Sequence, residues 1–412
     1  MRDPALLGIN WVKNDMPKSD CQKSLALMSG AEAEKALAFH RSIPHYAETP
    51  LVNLKNLAAR LGIKGLYLKD ESYRFGLNAF KVLGGSYAIA RHVAGELIKI
   101  GALNAGQGID YETLVSPDTK KKLGDSTFYT ATDGNHGRGV AWAANRLGQK
   151  SVILMPKGSS QTRLRNILNE GADASITELN YDDAVRLAND MASKDPRGVM
   201  VQDTAWAGYE EIPGWIMQGY GTMTLEAIHQ LSAAGIERPT HVFVQAGVGS
   251  LAGSVQGFLT NHYADKAPVT TVVEASAADC LYRSAKEHKL VPVGGELKTI
   301  MAGLACGEAN TISWEILKNH SSFFVSVPDW VAARGMRVLG APLKGDPQVI
   351  SGESGAAPAG LLSAVLDTSN YAALGDALGL NKDSVVLLFS TEGDTDPDRY
   401  RSIVWDGEFA GI

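Results

Sequence analysis

The chain has 412 residues, 45% of them hydrophobic and 20% charged, with a formal net charge of −6. That composition reads as folded and globular, and the length suits two intertwined domains or one large one. The acidic balance argues against a nucleic-acid or membrane-surface role, which needs a basic face; the run Lys120-Lys121-Lys122, in the polar stretch SPDTKKKLGDS, reads as a solvated loop.

In chain order, MRDPALLGINWVKND carries no signal-peptide core, and no later segment is apolar and long enough to cross a bilayer, so a cytoplasmic protein is expected. GLYLKD is a strand ending in acids, followed by NAFK and the helix VLGGSYAIARHVAGELI. Residues 101–125 are polar and weakly patterned and read as a surface insertion. STFYTATDGNHG is a strand running into a glycine-rich turn, RGVAWAANRLG the helix after it, SVILMP a strand ended by Pro156, and QTRLRNILNEGA a helix with a glycine stop. DASITEL, YDDAVRLANDMAS and VMVQDTA continue as strand, helix, strand; HVFVQAG, VTTVVEA and SVVLLFST are three more strands. Runs this apolar suit strands covered on both faces, so the expected fold is α/β, with two intertwined domains of mostly parallel twisted sheets flanked by helices. Residues 85–205 read as a smaller α/β domain inserted in a larger one made of 1–84 and 206–412. In open α/β sheets, ligands bind at the C-terminal strand ends, where these turns lie.

Four stretches carry chemistry. GVGSLAG, Gly247 to Gly253, joins strand to helix and offers free backbone N–H groups at the positive end of a helix dipole, an anion site for a phosphate. It also satisfies G-x-G-x-x-A, and Glu274 ends the next strand where a ribose-binding acid would lie, so an NAD-dependent dehydrogenase is one reading. Lys81 is either a solvated helix-end charge or an amine that forms a Schiff base with an aldehyde cofactor. Asp133 and Asn135 sit on the turn ATDGNHGRG, and Ser390 and Thr391 end a buried strand where a hydroxyl can meet a neutral pyridine nitrogen. A dehydrogenase needs none of the last three. Cys21, Cys280 and Cys306 are too few for a disulfide framework and read as free thiols, although Cys280 and Cys306 would be able to pair if close in space.

Together these stretches resemble the pyridoxal-phosphate enzymes of fold type II, the tryptophan-synthase β-like family. TPLVNL, LKDESYRFGLNAFKVLGG, TDGNHGRGVAW, GVGSLAG, TIMAGLACGE and STEGD fall where that family has its segments, over nearly the whole chain. NAFKVLGGSYA, TATDGNHGRGVAWAANRLG, VQDTAW, GYEEIPGWIMQGY and VISGESGAAPAGL are similar to the ammonia-lyase branch acting on 2,3-diaminopropionate. The resemblance implies pyridoxal 5'-phosphate held by Lys81 as a Schiff base, with Lys81 lowered in pKa by burial. Gly247, Val248, Gly249, Ser250 and Leu251 would hold the phosphate, the Ser250 hydroxyl adding a bond. Asn135 would donate to the ring oxygen, and Ser390 or Thr391 would meet the ring nitrogen. It further implies β-elimination of the amino-acid substrate to pyruvate and ammonia, in a homodimer. Lys81 and Asp133 would take the Cα proton from opposite faces, and Asp203 would lie near the leaving amine. Serine and threonine dehydratases of the same fold usually carry a small residue where this chain has Asp133; they are the alternative within the family. No ligand spacing demands a metal.

Overall fold

The apolar runs pair edge to edge in two separate sheets. The computed structural model describes residues 8–411; residues 1–7 of the segment read as lacking a signal core lie outside them. The strands are β1 (Asn10–Lys13), β2 (Leu51–Asn53), β3 (Gly65–Asp70), β4 (Thr127–Ala131), β5 (Lys150–Met155), β6 (Asp173–Ile176), β7 (Gly198–Met200), β8 (His241–Gln245), β9 (Val269–Ala275), β10 (Phe323–Val327) and β11 (Val385–Ser390). Among the described residues, one sheet runs β1-β10-β9-β8-β11-β3-β2, parallel except at its two edges, where β1 and β2 pair antiparallel. The other runs β6-β5-β4-β7 and is parallel throughout. Helices cover both, giving the expected α/β class. β8, β10 and β11 are buried along their whole length, which is why HVFVQ, FFVSV and VVLLFS show no polar alternation.

Three helices meet beside the catalytic lysine candidate: α1 (Val82–Lys99), α2 (Asn135–Arg146) and α3 (Glu211–Ala233). They approach closely because glycines stand at the contacts. A Cβ on Gly219 of α3 would fall 2.4 Å from the Leu83 carbonyl oxygen, and one on Gly139 of α2 would fall 2.8 Å from Val82 Cα. Lys81 is thus seated on a floor with no room for a methyl group. α3 carries Pro213 in its first turn as well as Gly214, Gly219 and Gly221, so its local propensity is poor and tertiary packing makes it a helix. Neither α3 nor β1, β2 and β10 is among the expectations above.

Residues 101–125 are less irregular than expected. They include the short helices Tyr111–Val115 and Pro117–Leu123, and the three lysines lie exposed on the second. The reason is local: Ser116 Oγ accepts from the Thr119 N–H at 3.2 Å and Pro117 occupies the first helical position. No helix among the described residues is long and apolar enough to cross a membrane.

Candidate active site

Between β3 and α1 the chain takes a sharp path, with Phe75 at φ 50° and Asn78 at φ 58°. It is held at both ends. The Arg74 guanidinium pairs with Glu71 and with Glu226 of α3, each at 2.8 Å. Near the lysine, Asn78 Nδ2 donates to Asp394 at 3.0 Å and Phe80 N–H to the Thr391 carbonyl at 3.0 Å. Lys81 follows in helical conformation and its amine forms an ion pair with the Asp203 carboxylate. Burial alone would push the amine down, but Asp203 more than offsets it and holds Lys81 above its ordinary value, correcting the expected fall. Asp203 is pushed up by burial, yet Lys81 and then His136 bring it down to about 2.

The turn after β4 is shaped by Thr132, whose Oγ accepts from Gly134 N–H at 2.9 Å and Gly137 N–H at 3.0 Å. Gly134 has φ +149°, and the Arg163 side chain lies where its Cβ would be, with Cδ 3.0 Å from that point. Asn135 donates through Nδ2 to Glu392, which also accepts from Ser354 N–H at 3.1 Å. His136 is tied by Nε2 to the Val201 carbonyl at 2.8 Å, and burial keeps its pKa low. Asp133, largely desolvated, is pushed up to about 7 against the pull of Arg163 and Lys81.

After β8, Gly249 takes φ +97° and starts α4 (Ser250–Tyr263). The helical ladder opens with Gly253 N–H donating to the Gly249 carbonyl at 2.8 Å, and among the described residues nothing accepts from the backbone N–H groups of Gly247 to Leu251. A Cβ on Gly247 would meet the Gly303 carbonyl at 3.0 Å and Cys306 Sγ at 3.3 Å. The Ser250 hydroxyl is engaged elsewhere: it donates to the Asp203 carbonyl and accepts from Asn310 Nδ2 at 2.9 Å, so the extra phosphate bond expected of it has no donor here. Glu274, the acid of the dinucleotide reading, is fully buried and accepts from the Leu281 and Tyr282 N–H groups at 2.8 and 2.6 Å. Both its oxygens cap the helix Cys280–Glu287, so neither is free for a ribose, and the dehydrogenase reading fails.

At the end of β11, neighbouring residues point to opposite faces. Thr391 lines the chamber and its Oγ accepts from Gln245 Nε2 at 2.7 Å, leaving the hydroxyl proton to donate. Ser390 is buried away from the chamber, 2.8 Å from Ser351 Oγ. Cys280 and Cys306 both lie at Gly247, and all three cysteines are buried free thiols.

Lys81, Asn135, Asp203, the Gly247–Leu251 loop and Thr391 therefore share one chamber, and Asp133 joins Lys81, Asn135 and Asp203 on its adjoining wall. Asp133, Arg163 and Tyr181 also line an outer cavity of about 660 Å³, so they stand at the boundary between the two spaces. Sequence reasoning did not single out Arg163, Tyr181, Gln245, Ser354 or Glu392. Glu392 and Ser354 lay within STEGD and VISGESG, and those stretches were the only signal. Gln245 Oε1 and Ser354 Oγ line the chamber, are buried and have no partner among the described residues. With five unpaired N–H groups on a loop beside a lysine, this donor and acceptor set fits a phosphorylated heteroaromatic aldehyde.

The profile of the family described as "Pyridoxal-phosphate dependent enzyme" matches residues 43–390. The chain is 51% identical over 391 residues to the diaminopropionate ammonia-lyase of Salmonella typhimurium, covering 94% of this chain and 95% of that one. The crystal structure of diaminopropionate ammonia lyase from Escherichia coli in complex with D-serine superposes with a TM-score of 0.89 at 47% identity, covering 98% and 99% of the two chains. The same enzyme in complex with an aminoacrylate-PLP azomethine reaction intermediate superposes with a TM-score of 0.87, at the same identity and coverage.

Proposed function

The chain belongs to the pyridoxal-phosphate dependent enzymes of fold type II and, within them, to the diaminopropionate ammonia-lyase family of carbon–nitrogen lyases, and on that premise we propose that it converts 2,3-diaminopropionate and water to pyruvate and two molecules of ammonia. Support comes chiefly from one observation: Lys81, Asp133 and Asp203 meet at a chamber whose floor is a loop of unpaired N–H groups.

Bound pyridoxal phosphate supplies an aldehyde for an amine and a ring that acidifies the substrate Cα. The backbone N–H groups of Gly247 to Leu251 would hold the phosphate. Asn135 Nδ2, beside Glu392, would donate to the ring oxygen. Thr391 would donate its hydroxyl proton to the ring nitrogen without charging it, which suits elimination over transamination; the orientation of Thr391 favours it over Ser390. Lys81 Nζ would take the Cα proton of one enantiomer. Asp133, poised near neutrality on the adjoining wall, would take it from the other. Asp203 holds the Lys81 ammonium and would hand its carboxylate to the departing amine as that charge moves. The reading includes a homodimer, on the family likeness, and a cytoplasmic location; light scattering on the purified protein tests the dimer.

The deciding experiment measures pyruvate release from each diaminopropionate enantiomer and from serine, alongside the visible absorbance of the protein. Colourless protein, or faster turnover of serine than of diaminopropionate, would sink the reading. Asp133→Asn should cut kcat/KM on one enantiomer by about 10²-fold or more and spare the other; equal losses would remove its stereochemical role.

A further inference from the structure

Arg163, from the helix Gln161–Asn169, has no place in the scheme above, yet it lies on the wall of both spaces that Asp133 lines. Its stem packs across Gly134, next in sequence to Asp133, where that residue's φ of +149° and missing Cβ make room. Its guanidinium is 3.9 Å from Glu353, the first residue of α5 (Glu353–Asp367). Its Nε is buried without a partner. A structural arginine satisfies its donors, as Arg74 does with Glu71, Glu226, Thr49 and the Ala47 carbonyl. Arg163 shares both cavity walls with Asp133 and stands 3.9 Å from Glu353, hydrogen-bonded to neither carboxylate.

From this geometry we infer that Arg163 is a positioning residue for Asp133: its charge, divided between Asp133 and Glu353, keeps Asp133 ionised so that it can accept the Cα proton. The inference rests on the reading of Asp133 given above. The other charged groups acting on Asp133 are Lys81, which favours its ionised form, and Asp203 and Asp182, which oppose it. His136, Tyr181 and Cys306 face the same chamber, but burial keeps the histidine neutral and the phenol and thiol protonated. Glu392 is also there, bonded to Asn135 and Ser354. Lys157, Arg186, Lys298 and Arg399 line the outer cavity as well, but among the described residues the cations that act on Asp133 are Arg163 and Lys81, and Lys81 is already joined to Asp203. Glu353 competes for Arg163 through the 3.9 Å contact, although burial and the Glu392 carboxylate push Glu353 up to about 7 and so weaken its claim.

The test titrates Asp133 directly in the holoenzyme, through the infrared band of its protonated carboxyl, assigned by its loss in Asp133→Asn. In Arg163→Gln the midpoint should rise by about one pH unit or more, and the acid limb of kcat/KM on the enantiomer that needs Asp133 should rise with it. Arg163→Lys should restore most of both. Glu353→Gln, which leaves the guanidinium to Asp133 alone, should move the midpoint the other way, and it serves equally if Arg163→Gln does not fold. A midpoint unmoved in Arg163→Gln with cofactor absorbance intact, or raised in Glu353→Gln, overturns the inference. Equal losses in Asp133→Asn on both enantiomers would instead remove the stereochemical reading, while the infrared midpoint still decides what Arg163 does.

Discussion

Two lysines of this chain, one fully buried and one partly buried, each pair with a carboxylate, and they behave in opposite ways. Lys69 and Glu226 are both 0% exposed and 2.7 Å apart. Lys69 also donates to the Thr49 carbonyl at 2.7 Å and Gln230 at 2.8 Å, and Glu226 is shared with Arg74 and Tyr46. Lys81 is 21% exposed; among the described residues its one hydrogen-bond partner is Asp203, with the Phe80 ring 6.0 Å away. Burial lowers Lys69 in spite of the pull of Glu226 and Glu71, with the Arg74 charge adding a little to the fall, whereas Lys81 is raised. A network in which every donor is matched has no valence left for a ligand, and it acts as a brace. A pair joined by one contact at the wall of a chamber can be separated, which an amine that must change partners requires.

Substitutions break this contrast in order of size. Lys81→Ala should abolish the visible band and lower turnover about 10³-fold or more, with the fold retained by circular dichroism. Glu226→Gln should do the reverse, costing about 3–5 kcal/mol in urea unfolding by leaving Arg74 and Lys69 short of a counter-charge. Its neighbours hold Glu226 well below the ordinary carboxylate range, so this contribution is full above an unfolded pKa of about 4.3 and lost as the pH falls toward the folded value. The stability gap between wild type and Glu226→Gln should therefore close in acid; a gap that widens would refute the network account. Asp203→Asn should lower turnover about 10²-fold on both enantiomers and let the Lys81 amine titrate lower, read from the pH dependence of the visible band. Smallest is Gly219→Ala, where a methyl against the Leu83 carbonyl should cost about 1–3 kcal/mol and raise KM by shifting the seat of Lys81.

Much of the site was legible because it is written in contiguous stretches. Strand, glycine loop and helix in that order point to an anion cradle, and GVGSLAG folds as that loop with the N–H groups of Gly247 to Leu251 unpaired among the described residues. Some of the elements missed have local signals that conflict with their state, such as α3 with its proline and glycines, or are short edge strands, the three-residue β2 and four-residue β1; β10, a plain apolar strand, was missed without such a conflict. Glu274 shows the converse: its position after VTTVVEA suited a ribose, and only the fold revealed a helix end already claiming both oxygens.

By itself, then, the amino-acid sequence determined the α/β class, the strand–glycine loop–helix and the candidate lysine, since backbone N–H groups, glycine torsions and apolar runs act on their own neighbours. The tertiary structure alone decided the charges and the facing of side chains. Lys81 and Asp203 are 122 residues apart, and their contact reverses the shift that burial imposes on the amine. Whether Ser390 or Thr391 meets the chamber depends on strand pleat, and the state of Asp133 on its burial, opposed by an arginine laid across the glycine beside it. Charge acts through space, and distance in space is what folding sets.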